Sequence, residues 1–546
     1  MGPVSPVSLA FFTIDHGTAS TAVSLVAPLG GRFRLLASGV APRGTELEAL
    51  LEDLVLRVEA IEPGLLVAPT DWGDWARLES ATGPARRVLC LAATDEAAAD
   101  VQRAFAGGGW EVAGRVTARS LDPLAAMGAC LDPGLSALAL GSPETEPDRT
   151  QRARLGPLLA AVMGQRPDLP VLLCGSVADW TGLPLDKVAH LPPADHVGEP
   201  IDTALRSALN RLDLPPPHER WEAAVPMPAR VRDLPDGRQT LRQAVATLAT
   251  LLDRRIEMVD IGHSAGVRTL AYPTGVVGHL VSADAALVPA EALDDPRQVD
   301  EIARWSSIRS DPLSLSDRLR NLRLSPWRDL AGDGARLRLA ALRAALARLD
   351  RQWRDPDAKQ PAPTADMLIC AGGAFAAVPP PAAAMAVVDG MRRPGAVTLF
   401  HDHARLLGPI GALPDAADRR RLLVDLLDDA LLPLGSAIVT GEVRTGARSA
   451  ATLRVSSRLQ QHDLELAPNA LRLVDLPPGV PARVEVEMRD GQVLGVRARR
   501  IALDVTGGLG GLLVDTREVP LRLPERAERR RALLETWERP VWGPDR

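Results

Sequence analysis

Two short stretches of the chain share one arrangement: IDHGTASTAVSLV from Ile14 and VDIGHSAGVRTLA from Val259. Each sets an aspartate at the end of an apolar run, a glycine two residues later, and then small or hydroxyl-bearing residues before a second apolar run. Small side chains let backbone N–H groups approach phosphate oxygens, hydroxyls add donors, and an aspartate can hold Mg2+ through water. The residues that could do this are Asp15, Gly17, Thr18, Ser20 and Thr21 in the first loop and Asp260, Gly262 and Ser264 in the second. Asp followed by Gly after a strand is also ordinary turn chemistry, so either loop alone reads as a tight turn. Two such loops facing each other across a cleft would clamp a triphosphate. A third stretch, LICAGGAFAAVP from Leu368, ends an apolar strand in Gly372-Gly373 ahead of a Pro-started helix. Paired glycines there would let an adenine ring and its ribose lie against the backbone; the plainer alternative is a strand-to-helix turn with a close packing contact.

These loops need strands to hold them. LAFFTID and TAVSLVAP read as a hairpin around the first loop, and FRLLASGVA as a third strand after a Gly30-Gly31 turn. A helix is predicted over Thr45 to Ile61, with Thr45 as N-cap. From Ala85 to about His190 apolar runs such as RVLCLAA, LSALALG and PVLLCGS alternate with helical segments, the pattern of a parallel sheet with crossover helices. A Pro-rich connector from Asp213 to Val231 follows. Beyond it come a helix, the second loop, a long Arg/Ala/Leu helix from Ala335 to Asp355 and the Gly372-Gly373 turn. After about Leu432 short alternating runs and the RDGQ turn predict a β-rich C-terminal domain. The expected organisation is 9–84, first lobe; 85–212, Rossmann-like βα unit; 213–235, linker; 236–431, second lobe; 432–546, β-rich domain.

At 546 residues the chain is too long for one hydrophobic core. Its 46% apolar and 24% charged composition is that of a folded chain, and a net charge of -6 gives no sign of a nucleic-acid binder. Basic residues are almost all arginine, with Lys187 and Lys359 the only lysines. Cys90, Cys130, Cys174 and Cys370 have no C-x-x-C spacing; Cys90, Cys174 and Cys370 sit in apolar runs, which points to buried free thiols and a cytoplasmic setting. No run reaches the roughly 18 apolar residues of a membrane span, and MGPVSPVSLAFF lacks the basic start and cleavage site of a signal peptide.

The order of parts is phosphate-like loop, βα insertion, second phosphate-like loop, long helix and GG turn, and it resembles the actin-like ATPase fold of sugar kinases and heat-shock chaperones. More narrowly, the chain resembles the MutL/GlmL family, the glutamate mutase (methylaspartate mutase) accessory proteins. The resemblance runs from about Phe11 to Val455 and is carried by IDHGTASTAVSLV, LSALALGSPETEPDR with PVLLCGSVAD, VDIGHSAGV, LICAGGAFAAVP and LLPLGSAIV. It implies an α/β, actin-like (ribonuclease H-like) fold with two lobes. It further implies ATP and Mg2+ as cofactors, with Asp15 and Asp260 as the metal residues, and the subunits of a cobalamin-dependent mutase as partners, with self-association a further expectation.

The chain also departs from that pattern. Where the family resembles D-x-G-S/T-x-x-T-K, Ala22 stands at the lysine position; where it resembles D-I-G-G-A-T-T-D, the chain has His263-Ser264-Ala265-Gly266-Val267. The middle turn, usually G-G-T-D-G-G, is Gly141-Ser142-Pro143-Glu144-Thr145-Glu146. A missing lysine removes a point charge from the phosphates, and a missing Asp or Thr weakens the positioning of metal or water. Two rival readings therefore stand: a paralogue that keeps the fold as an interaction scaffold, and a small-molecule kinase, for which no catalytic aspartate can be named. IDHGTAS, ADHVGEP and FHDHARLLG lack the D-x-H-x-x-G spacing of a corrinoid carrier. His401, Asp402 and His403 could suggest a metal site, but neighbouring strand positions point to opposite faces, so the histidines read as solvated or satisfied; Gly507 to Gly511 reads as a flexible hairpin turn and ERAERRRALLETWERP as a solvated terminal helix.

Overall fold

A computed structural model describes residues 10–66, 69–141, 153–174, 188–191, 234–289, 295–353, 365–440, 451–488 and 500–542. The turn over Ser142–Glu146, the Pro-rich connector and the RDGQ turn lie outside the described residues. The chain forms two compact units: Met1–Thr82, Ala224–Val277 and Asp284–Arg546 in one, Gly83–Ala223 with Gly278–Ala283 in the other.

In the larger unit, strand β1 (Phe11–His16) lies between antiparallel β2 (Ser20–Leu29) and parallel β4 (Ala76–Ala81), with β3 (Arg32–Pro42) outside β2. Gly30 and Gly31, at φ 62° and 83°, make the two-residue turn between β2 and β3 that their pairing predicts. The Leu47–Ile61 helix covers this sheet through Leu47, Leu51, Leu54, Val55 and Val58, which share one helical face. Its start differs from the expectation. Glu46 holds the N-cap position without a side-chain cap, and Thr45 Oγ1 donates to the Pro42 carbonyl at 2.8 Å, closing the preceding turn.

The same order then returns. β10 (Ile256–Ile261) lies between antiparallel β11 (Gly266–Ala271) and parallel β13 (Met367–Ala371). β14 (Gly395–Asp402) adds in parallel to β13 and β15 (Leu431–Val439) antiparallel to β14, followed by β21 (Leu512–Asp515) and β18 (Leu471–Val474). This sheet runs on across residue 432, because β15 begins at Leu431 and pairs with β14 over its whole length. An apolar core under both sheets joins Phe11, Val26 and Phe33 of the first to Met258 and Ile369 of the second through Leu406, Leu407 and Ile410. Burying one apolar cluster between the two sheets is what holds their loop ends together. Twice over, a hairpin strand is flanked on its other side by a parallel strand; this duplicated order is that of the actin-like ATPase fold.

A four-stranded antiparallel sheet of β17 (Gln461–Leu466), β16 (Ala451–Ser457), β19 (Pro481–Met488) and β20 (Arg500–Thr506) completes the unit. Gly507 to Gly511 carries the chain from β20 to β21, and it is not a flexible hairpin turn. A Cβ on Gly508 would stand 2.2 Å from the Gly435 nitrogen, and Gly510 N–H donates to the Leu434 carbonyl at 2.7 Å, so the glycines serve close backbone packing. Nor is the Ala527–Trp542 helix merely solvated. It buries Leu534, Trp537, Glu538, Val541 and Trp542, and Glu538 accepts from Arg343 at 2.6 Å and Ser307 at 2.7 Å.

The second unit is an all-parallel sheet in the order β6 (Glu111–Thr117), β5 (Arg87–Ala92), β7 (Ala137–Gly141), β8 (Val171–Cys174), β9 (Val188–Leu191). The Asp95–Gly107, Pro123–Cys130 and Gly156–Gln165 helices alternate with these strands, and separate apolar clusters fill the two faces. This is the doubly wound arrangement that the alternating runs predict. Strand β12 (Val277–Ser282) falls almost wholly within the Gly278–Ala283 part of this unit.

Candidate functional site

The two predicted loops are built alike. In the β1/β2 hairpin, Asp15 pairs with Ala22 and His16 with Thr21; in the β10/β11 hairpin, Asp260 pairs with Val267 and Ile261 with Gly266. Each loop closes with the glycine N–H donating three residues ahead, Gly17 to the Ser20 carbonyl at 2.9 Å and Gly262 to the Ala265 carbonyl at 3.0 Å. Loop positions Thr18, Ser20, Thr21 and Ser264 are half-buried, and among the described residues their hydroxyls take no hydrogen bond. A hydroxyl left unpaired at such a place is a donor for a ligand.

Both aspartates sit where burial works against their charge. Asp15 Oδ1 accepts from Ser80 Oγ at 3.3 Å, while Oδ2 stands 3.7 Å from Arg405 Nη1. Burial raises its carboxyl above the usual range, against the opposing pull of Arg405. Burial, reinforced by the charge of Asp15, pushes Asp260 up to about 6, and Arg405 and Arg238 oppose the shift. The Oδ1 atom of Asp260 is buried and, among the described residues, has no hydrogen-bond partner. An orphaned carboxylate oxygen whose charge is coupled to that of half-buried Asp15 fits a cation held by two acids and otherwise by water and phosphate. Among the described residues no group of three or more His, Cys, Asp or Glu is placed to hold a metal unaided.

The turn after β13 meets these aspartates. Gly372 has φ 89°, and a Cβ there would stand 2.2 Å from Asp260 Oδ1 and 2.5 Å from the Ile261 carbonyl oxygen. On Gly373 a Cβ would stand 3.0 Å from Arg405 Nη2. Both glycines thus leave room for charged or polar groups of the site itself.

Sequence reasoning missed Arg405 and set Asp402 aside with its neighbouring histidines; both lie within HDHARLLG. Asp402 closes β14 and is buried; its Oδ1 accepts from Leu406 N–H at 2.9 Å and its Oδ2 from Leu407 N–H at 3.2 Å. Burial pushes its carboxyl up to about 7, against those two hydrogen bonds. The turn that Asp402 closes presents Arg405 in the left-handed region, at φ 53°. His401 and His403, on either side of Asp402, are kept neutral by burial, which pulls His401 down to about 4 and lowers His403. An acidic residue closing a strand before a short helix is the one local signal, and it gives no hint of which loop the turn will face.

Arginines also flank the hairpin loops. Arg43 Nη1 donates to the Thr18 carbonyl at 3.1 Å and Arg323 Nη1 to the His263 carbonyl at 3.4 Å. Burial and these two cations pull the His263 imidazole down to about 4, so it is neutral.

No family model matches the chain, and no curated protein matches it. Among solved structures it is similar to the activator of 2-hydroxyisocaproyl-CoA dehydratase from Clostridium difficile with bound ADPNP, at 9% identity over 76% of this chain and 96% of that one, TM-score 0.27. It is also similar to the PilM-PilN type IV pilus biogenesis complex, at 14% identity over 77% and 99%, TM-score 0.26. A carbohydrate kinase from Novosphingobium aromaticivorans matches at 12% identity over 84% and 94%, TM-score 0.23. At such scores the likeness bears no functional weight, and the fold rests on the duplicated strand order.

Proposed function

We propose that the protein binds ATP with Mg2+ between the Asp15 and Asp260 hairpins and acts as an accessory or reactivating protein for a cobalamin-dependent mutase. The observation that carries the nucleotide reading is the identical register of Asp15 and Asp260 in two like hairpins, with Arg405 acting on both aspartates. Gly17, Thr18, Ser20, Thr21, Gly262 and Ser264 would offer backbone and hydroxyl donors to the phosphates, with Asp15 and Asp260 holding the metal through water. The adenosine would lie on the side of the Gly372-Gly373 turn. Mg2+ bound there would neutralise charge on the phosphates and on the two carboxylates. Closure of the cleft on the nucleotide would change the surface offered to the mutase, the part of the reading that comes from the family resemblance alone.

Titration calorimetry with ATP and Mg2+ tests the first step, with micromolar to sub-millimolar binding expected. No heat and no thermal shift at millimolar nucleotide would overturn it. Recovery of an inactivated cobalamin-dependent mutase on adding the protein with ATP tests the second.

A scaffold role without nucleotide is favoured by one observation, that the guanidinium of Arg405 already faces Asp15 while Ala22 holds the position of the family's lysine. Mutase binding that is the same with and without ATP would support that reading.

A further inference from the structure

We infer that Arg405 is the phosphate-binding cation of the cleft, taking the role of the lysine that the first loop lacks, and that it exchanges Asp15 for phosphate oxygens when nucleotide enters. The inference rests on the nucleotide reading of the same site.

The backbone that carries Arg405 is fixed on both sides. Asp402 accepts from the N–H groups of Leu406 and Leu407, and the Ala404 carbonyl accepts from Ser24 Oγ of β2 at 3.3 Å. The side chain is committed far less. Its contact with Asp15 is 3.7 Å, too long for a hydrogen bond, and among the described residues the guanidinium donates none. Five N–H donors in a planar fork are therefore free to turn to a ligand, and that fork matches the geometry of phosphate oxygens.

Its position suits the task. The guanidinium lies between the first loop and the GG turn, where a Cβ on Gly17 would come within 3.5 Å of Nη1 and one on Gly373 within 3.0 Å of Nη2. Glycine at both places leaves the cation room to move. Its charge acts on Asp15, Asp260 and Asp402 at once, so one guanidinium serves three carboxylates. A divalent ion entering with the nucleotide would take over the neutralisation of Asp15 and release the arginine to the phosphates.

The test is calorimetry on the full chain with Mg·ATP, Mg·ADP and adenosine, comparing wild type, Arg405→Ala and Arg405→Lys. Arg405→Ala is expected to weaken Mg·ATP by at least about tenfold and adenosine by less than about twofold, with Arg405→Lys restoring part of the loss. Equal losses for ATP and adenosine, or unchanged ATP affinity, would overturn the assignment. If wild type binds adenosine and ATP equally well, the nucleotide site stands and the phosphate role of Arg405 falls. If wild type binds neither, the nucleotide reading itself fails and the inference fails with it. Should Arg405→Ala fail to fold, Arg405→Gln carries the same comparison.

Discussion

Asp15 and Asp260 hold equivalent places in two hairpins, each one pair back from the loop, opposite Ala22 in one and Val267 in the other. Their equivalence is electrostatic as well, since burial raises both and the charge of Asp15 adds to the rise at Asp260. On the proposed reading, a metal held by both acids would be lost when either is removed. Asp15→Ala and Asp260→Ala are each expected to weaken Mg-dependent ATP binding by about tenfold or more while leaving metal-free binding much less changed. Calorimetry with Mg2+ and with EDTA checks this, and wild-type affinity in both variants would place the site elsewhere.

Asp402 gives a pH signature. Its folded-state pKa of about 7 exceeds the usual carboxylate value, so its contribution to stability is fully present below about 4 and is lost as pH rises through about 7. Asp402→Asn cannot titrate, and its amide oxygen still accepts one backbone N–H. Denaturant unfolding at pH 5 and pH 8 should show a larger fall in stability for wild type than for Asp402→Asn. Equal falls would show that the carboxyl is not raised.

The Ala527–Trp542 helix is held by charge in a dry place. Glu538 accepts from Arg343 and Ser307, and Arg343 Nε also pairs with Asp389 at 2.8 Å. Removing Glu538 leaves Ser307 and one face of Arg343 without an acceptor while Arg343 keeps Asp389, so Glu538→Ala should cost about 2 kcal/mol. The exposed neighbour variant Glu535→Ala should cost less than about 0.5 kcal/mol. Equal denaturation midpoints for the two would show that this helix is not docked by its glutamate.

All four cysteines are buried and free. Burial pushes Cys130 up to about 11 and Cys174 to about 12, and raises Cys90 and Cys370 as well. The thiolate is the reactive form, so Ellman's reagent at pH 8 should label no cysteine rapidly in the native protein and all four after denaturation. Fast native labelling would contradict their burial.

The twin loops were legible in the sequence because a strand ending in aspartate, a glycine and a run of small residues is a local pattern, set by backbone sterics and the alternation of apolar positions. The parallel sheet of the second unit was legible for a similar reason: strands buried on both faces appear as continuous apolar runs between helical periods. Gly507 to Gly511 was misread because the same glycines that make a loose turn also allow backbone contact at 434 and 435, some seventy residues away. The terminal helix was misread because its charged residues hide one, Glu538, whose partner is at 343.

Asp402 and Arg405 belong to the same class. Composition and spacing mark HDHAR as a strand end with histidines, and nothing local says that β14 will lie beside β13 with its following turn against Gly17 and Gly373. The sequence by itself determined the two aspartate loops, the strands that carry them and the absence of a lysine within either loop. Only the tertiary structure decided which cation stands there instead, because pairing an arginine with an acid 390 residues earlier depends on strand order and a shared core, and neither is encoded in any short window.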